Sequence, residues 1–336
     1  MHLGPVAPQS GLQHRYGSSE EPCGANSHTD REPLLSGFGA SLGATYARTG
    51  PFGGSPPSLS FAMFVISSSL IALLAVSLLL TAVWAVHLRD RDASIVDPVW
   101  GIAIWTVGFT YAVDAGVSIT GARLVALLLA GAWALRLALH LHVRHGIVGE
   151  DRRYRAMREK RGDDWWWRSF YVVFLLQALL AWVVALPLMA AVTGSSAPGV
   201  LSWIGLGLAA IGFIYESVAD GQLAHYQYKR ALERKSAHLD EAGVANADRG
   251  VMDGGLWRYS RHPNYFGEMV FWWGMGLAAA GQGLPWGLLG SGFITFMLLK
   301  VSGVSLTEAN IADRRPAYRD YVHRTNAVIP GIPGSK

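Results

Sequence analysis

The sequence predicts an all-α, polytopic membrane helix bundle of about seven transmembrane helices, and three observations carry that prediction. First, 51% of the 336 residues are hydrophobic and only 15% are charged, with a mean hydropathy of +0.25. That is too apolar for an ordinary soluble domain. Second, the apolar residues fall in runs near the ~20 residues that a bilayer-crossing helix needs. Third, lysine and arginine are spread unevenly among the connecting loops, the pattern left by membrane topology.

Residues 1–59 stand apart as a Gly/Pro/Ser-rich tail without an apolar period, unable to bury enough surface to fold alone. Met63, near the head of the first apolar run, is an alternative start for the chain. Cys23 is the only cysteine, which excludes an internal disulfide, a CxxC pair and a cysteine-ligated metal cluster. Residues 60–336 read as one membrane domain with spans at 61–86, 98–120, 122–142, 169–192, 199–222, 264–281 and 284–306. The loops 87–97, 143–168, 223–263 and 300–336 fall on one side of such a bundle and hold 23 of the 28 basic residues. That bias puts the N-terminus outside and the C-terminus in the cytoplasm. A pI near 9.2 in so apolar a chain reports topology and anionic headgroups rather than nucleic acid. No nucleic-acid partner is expected, and no obligate protein partner is evident. Trp165, Trp166 and Trp167 beside Arg168 read as an interfacial belt. Gly205, Gly207, Ala209 and Gly212 read as close helix packing.

The stretch from Gly255 to Glu268 is the richest in chemistry. Proline suits the first turn of a helix, so Pro263 places His262 at the cap, where free amides attract an anion. Arg258 and Arg261 add positive charge to that mouth, and Arg249 lies close enough in sequence to join them in contacting phosphate. Asn264 and Glu268 project from one face of the new helix. Glu216 and Asp220 share a face of the fifth span, and carboxylates inside a membrane are costly enough to need a reason. They would accept hydrogen bonds from ribose hydroxyls or a carboxamide NH₂; the alternative is snorkelling, or bridging to Arg258 or Lys229. A phosphate-bearing cofactor, held where water meets lipid, accounts for the set.

In the first half, Asp97 precedes Pro98 and either caps its helix or lines a polar site. Glu150, Asp151, Arg152, Arg153 and Arg155 form an ion network or a second site. Asp114, Arg136 and Gln177 lie inside spans and line a polar cavity, with an Arg136–Asp114 pair as the structural alternative. His140 and His142 diverge by about 200° on a helix and cannot chelate one ion, so no metal is expected.

The Glu216-Ser217-Val218-Ala219-Asp220 segment, the Trp257-to-Glu268 motif and the tail running from Tyr318 through Tyr321 to Pro330 resemble the C-terminal domain of the steroid 5-alpha-reductase family. Residues 60–336 as a whole resemble a branch of that family with unassigned substrate, sharing its Asp-Pro-x-Trp-Gly pattern at 97–101 and its Glu-Asp-x-Arg-Tyr pattern at 150–154. The resemblance implies a seven-helix fold that admits NADPH from the cytoplasm, NADH not being excluded, with the cofactor-binding part at 199–336. It implies cofactor contacts at Glu216, Asp220, Asn264 and Glu268, and at aromatic and basic residues near Tyr259 and Arg314. Glu216 stands where the steroid enzymes commonly carry asparagine. The steroid enzymes use a Gln–Glu pair and a tyrosine to polarise the substrate carbonyl; the pair has no counterpart here, which argues against a 3-oxo-steroid.

The reading is an integral membrane NAD(P)H-dependent reductase of a carbon–carbon double bond in an isoprenoid, sterol-like or unsaturated acyl lipid drawn from the bilayer. Its cofactor site would lie on the cytoplasmic side, at the plasma membrane in a bacterium. Gln177, Tyr111 and Asp97 are the candidates for polarising or protonating the substrate. The alternative is an S-adenosylmethionine-dependent membrane methyltransferase of the isoprenylcysteine or phospholipid type. Those enzymes share Arg-His-Pro-x-Tyr-x-Gly, and Glu308, Tyr318 and Tyr321 echo their C-terminal pattern. A third, non-enzymatic reading as a lipid-binding protein would use neither cofactor.

Overall fold

The computed structural model describes residues 59–116, 118–194, 197–236, 250–301, 303–308 and 317–334. The predicted tail lies outside them but for its last residue, and so do Arg249 and Arg314. Every regular element among the described residues is helical, as predicted.

Helix α1, Leu59–Asp90, leads into a 3-10 turn, Ala93–Val99, that reverses the chain into α2, Trp100–Asp114. The turn is capped by Asp92, whose side chain accepts the Ser94 amide at 2.8 Å. Asp97 sits inside the turn and is no helix cap. Next come α3, Gly121–Val148, and the polar α4, Arg152–Arg161, which Asp151 caps through the Arg153 amide. Short α5, Trp165–Ser169, passes through a π-helical turn, Phe170–Leu175, into α6, Leu176–Val184. Pro187 then opens α7, Leu186–Thr193, ending the run the sequence showed as a single span. Long α8, Val200–Ser236, has 37 residues, ~55 Å at 1.5 Å per residue, so it outruns a ~30 Å hydrocarbon core. Helix α9, Pro263–Ala280, and α10, Leu288–Phe296, complete the apolar bundle. Short α11, Val304–Glu308, and α12, Ala317–Arg324, lie at its polar end.

Five helical stretches among the described residues are long and apolar enough to cross a membrane: Ile66–Asp90, Ala93–Asp114, Gly121–Ile147, Arg152–Val184 and Val200–Glu233. The last two expected spans are weaker. Asn264 and Glu268 dilute the 18 residues of α9, and Pro285–Val301 is a shorter apolar helix.

The α8–α9 pair is the spine of the fold. A Cβ at Gly205 would strike the Ala278 backbone, one at Gly212 that of Phe271, and one at Gly274 that of Ala209. At Gly267 it would lie 2.6 Å from the Glu216 amide nitrogen. Small residues on both helices therefore let the backbones touch, as expected for Gly205, Ala209 and Gly212. Gly207 faces open space instead. This contact sets Glu216 against the first turns of α9. Beside it, Trp133 of α3 stacks on Phe271, with centroids 5.4 Å apart, and meets Trp272 edge-on at 5.2 Å. All three rings are buried and close the apolar floor beneath a layer of charge.

The basic loops gather at one end. Ser94 reaches His145 at 3.3 Å, Arg153 reaches Asp97 at 3.2 Å, and the segment around Arg261 is pinned by Glu308. At the other end, Ser68 bonds Asp114, and Gln282 donates to the Ala191 carbonyl at 2.9 Å.

Candidate functional site

The polar residues of α3, α8 and α9 converge on one cluster inside the bundle. Arg136 of α3 bridges Glu216 and Asp220 of α8. The indole of Trp133 donates to the second Glu216 oxygen at 2.9 Å, and the Asn264 amide donates to Asp220 at 3.1 Å. His140, one turn beyond Arg136, has its Nε2 3.8 Å from Asp220. Helical spacing explains the set: residues four apart share a face, so Arg136 and His140, Glu216 and Asp220, and Asn264 and Glu268 each present a pair inward. The partner of the carboxylates is thus Arg136, not Arg258 or Lys229. The alternative Arg136–Asp114 pair does not form, since Asp114 is held by Ser68 at the far end.

Glu268 is different. It lies within electrostatic range of Glu216, Arg136 and Asp220, yet has no hydrogen bond or ion pair among the described residues. Its side chain is only partly buried. Asn264 Oδ1 and Arg136 Nε are buried without partners beside it. The open valences of the cluster are therefore a carboxylate, an amide carbonyl and one guanidinium N–H.

The anion mouth at the start of α9 has its own occupant. His262 stands at the cap and Pro263 in the first turn, as expected. Glu308 of α11 takes the place of an outside anion. It accepts Arg261 Nε at 2.8 Å, Arg261 Nη2 at 3.0 Å, His262 Nε2 at 2.8 Å and the Tyr318 hydroxyl at 3.0 Å. Burial pushes the Glu308 carboxyl up, but these hydrogen bonds and the charges of Arg261 and His262 outweigh it and hold the group at about 2. Arg261 also donates through Nη1 to the Val322 and Thr325 carbonyls, so its fork is spent within the chain. Arg261 and His262, expected to contact phosphate, here tie α9 to the C-terminal segment. Ser260 Oγ to the Val328 carbonyl at 2.7 Å, and the Gly331 amide to the Tyr259 carbonyl at 3.0 Å, extend that tie. Arg258 and Tyr259 remain exposed at the rim. Their turn, Gly255–Arg258, is fixed to α8 by the Gln222 side chain at 3.0 Å from the Leu256 amide and by Trp257 donating to the Ala219 carbonyl at 3.0 Å.

The first-half candidates separate. Asp97 and Gln177 meet through Tyr154, whose hydroxyl donates to Asp97 at 2.7 Å and accepts from Gln177 at 3.0 Å. Tyr111 is not part of this group. Fourteen residues beyond Asp97, ~20 Å along the helix, it bonds Ser69 near the opposite end. Glu150 pairs with Arg155 and Arg158, and Asp151 with Arg153, so the acidic–basic motif is an ion network around α4.

Arg136, Trp133 and Tyr154 carry these clusters without having been chosen as site residues. A cation in the middle of an apolar span was the available signal for Arg136, although its partner was misjudged. Nothing in the local sequence distinguished Trp133 from a packing aromatic.

Residues 83–325 match the family described as "Protein of unknown function (DUF1295)". The chain belongs to this family. A relative from Schizosaccharomyces pombe, described as an uncharacterized protein, is 26% identical over 299 residues, covering 82% of this chain and 84% of its own. No solved structure matches the chain. The match begins near the end of α1 and closes in the C-terminal tie, so both polar clusters fall within the family's extent.

Proposed function

We propose that the protein is an integral membrane reductase that uses NADPH or NADH on a carbon–carbon double bond of a lipid, with a fold of the steroid 5-alpha-reductase type. Its seven crossings are the five long stretches, α9 and Pro285–Val301, with the N-terminus outside and the basic end in the cytoplasm. The observation that carries the reading is the set of open valences at Glu268, Asn264 and Arg136. A primary carboxamide is their complement: its NH₂ donates to the carboxylate and to Asn264 Oδ1, and its oxygen accepts from Arg136 Nε. Nicotinamide bears that group. Bound, it would supply hydride, and the apolar walls around the cluster would keep water away from it. Asp220 and Glu216 hold Arg136 and Asn264 in place rather than facing the cofactor. Arg258 and Tyr259 on the rim suit its phosphate end. Gln177 and Asp97, linked by Tyr154, remain the candidates for the substrate's polar group, and the lipid enters through a lateral opening between helices.

Fluorescence titration of detergent-purified protein with reduced nicotinamide dinucleotides tests this. Combining Glu268→Gln with Asn264→Ala removes the carboxylate and the amide, and the affinity is expected to fall about a hundredfold at ~1.4 kcal/mol per decade. An unchanged affinity would remove the assignment.

A specific observation supports a second reading. Glu308 and Tyr318 join Arg261 and His262 in one site, uniting the two halves of the motif shared with membrane methyltransferases. Under that reading the cofactor is S-adenosylmethionine, and the same titration with it would show saturable binding.

A further inference from the structure

A chain of hydrogen bonds fixes which way Gln177 faces. Tyr154 has one hydroxyl proton and gives it to Asp97 at 2.7 Å, a carboxylate that also accepts Arg153 at 3.2 Å and has no proton to return. The Tyr154 oxygen therefore accepts from Gln177, and only the amide NH₂ can donate, which it does through Nε2 at 3.0 Å. Gln177 Oε1 is left as an acceptor, buried and without a partner among the described residues. A buried acceptor without a donor is costly, so its partner comes from outside the chain.

Two more unpartnered groups lie around this one. Trp165 Nε1 and His87 Nδ1 are buried without hydrogen bonds, and the two rings meet edge-on with centroids 6.2 Å apart. His87 also packs on Phe174 at 5.5 Å, one turn before Gln177. It lies in electrostatic range of Glu150 and Arg158, which flank Tyr154 in sequence by one helical turn on each side. Phe174 is fully buried, whereas Leu176 and Leu179 of α6 are exposed, where a spanning helix meets lipid. Gln177 follows directly on the π-helical turn Phe170–Leu175, a departure from α-geometry frequent at functional sites.

We propose that Gln177 Oε1 binds the hydroxyl of a lipid alcohol, and that Tyr154 is the positioning residue that keeps the amide oxygen free for it. A hydroxyl supplies the proton that Oε1 lacks and carries lone pairs for a donor such as the Trp165 indole. A ketone or an ether has no proton to give. The inference rests on the placing of the lipid's polar group at Gln177 in the reading above and names the class of that group; it is independent of the cofactor.

The experiment is photo-crosslinking of the detergent-purified full chain, without added cofactor, by cetyl alcohol carrying a diazirine in its chain. Unlabelled cetyl alcohol, cetyl methyl ether and the methyl ketone of equal length compete. The alcohol should compete at about a tenfold lower concentration than either analogue, the order of one hydrogen bond to a buried acceptor, with adducts on peptides of α1, α5 or α6. Gln177→Leu should erase that difference. Tyr154→Phe frees the amide to turn its NH₂ toward the ligand and should bring the ketone within about threefold of the alcohol. A tyrosine with only a structural role would weaken all three competitors alike, and that result overturns the positioning role. Equal competition by the three in wild type, the outcome if a water partners Oε1, overturns the proposal, as does an undiminished preference for the alcohol in Gln177→Leu. Either failure leaves the dinucleotide assignment standing, because no cofactor is present. Should the variants not fold, the wild-type series decides alone.

Discussion

Replacing Glu308 with glutamine tests how the C-terminal segment is fastened to α9. The hydrogen bonds and charges of Arg261 and His262 hold the folded carboxyl at about 2 against an ordinary 4.5. At ~1.4 kcal/mol per unit this is about 3 kcal/mol, most of it retained because only 20% of the side chain is exposed. The folded value lies below the unfolded one, so this stability is fully present above pH 4.5 and is lost as pH falls toward 2. Glutamine keeps the shape and an acceptor but loses the charge that Arg261 and His262 face. The assay is hydrogen exchange of the amides of Gly331 and Thr325, which donate to Tyr259 and Tyr321. After correction for intrinsic rates, Glu308→Gln should speed their exchange about a hundredfold near neutral pH, the equivalent of 3 kcal/mol. Wild type should approach the variant as pH falls from 4.5 toward 2. Unchanged exchange in Glu308→Gln would refute the argument, because the carboxylate would then not be holding the segment.

Arg136→Met should destabilise the domain by about 3–5 kcal/mol in denaturant titration, since it leaves buried carboxylates without their cation. Adding Glu216→Gln and Asp220→Asn should recover most of that loss, and no recovery would contradict the pairing. Gly212→Leu places a side chain against the Phe271 backbone, where nothing flexible can yield, and should prevent α8 and α9 from docking. Loss of monodisperse protein in size-exclusion chromatography is the expected readout, with Gly207→Leu, which meets open space, behaving as wild type. Tyr154→Phe removes two hydrogen bonds from Asp97 and Gln177 and should cost about 1–3 kcal/mol while leaving dinucleotide affinity within about twofold, because it touches a different cluster.

The helical class and the first five long stretches were legible because a bilayer demands uninterrupted apolar length, which a sequence displays directly. The two helices near the end were harder. Polar residues such as Asn264 and Glu268 erode the signal of a span. Pairing by helical spacing worked for Glu216 with Asp220 and for Asn264 with Glu268, since four residues fix a shared face regardless of tertiary contacts. Which helix those faces meet was not readable: Arg136 is 80 residues from Glu216, and only the tertiary fold brings α3 to them. The mouth at His262 and Pro263 was also recognisable locally. Its occupant was not, because Glu308 lies 46 residues further on and reaches back through the fold. The separation of Tyr111 from Asp97 and Gln177 was hidden for a similar reason: a polar residue in a span says nothing about which end of the bundle its partners occupy.

The central claim is that Glu268, Asn264 and Arg136 receive a nicotinamide in the apolar interior. Native mass spectrometry of wild type purified in mild detergent addresses it most directly. A retained nicotinamide dinucleotide, lost when Glu268→Gln and Asn264→Ala are combined, is the expected result. Retention in both proteins, or S-adenosylmethionine as the bound species, would contradict it.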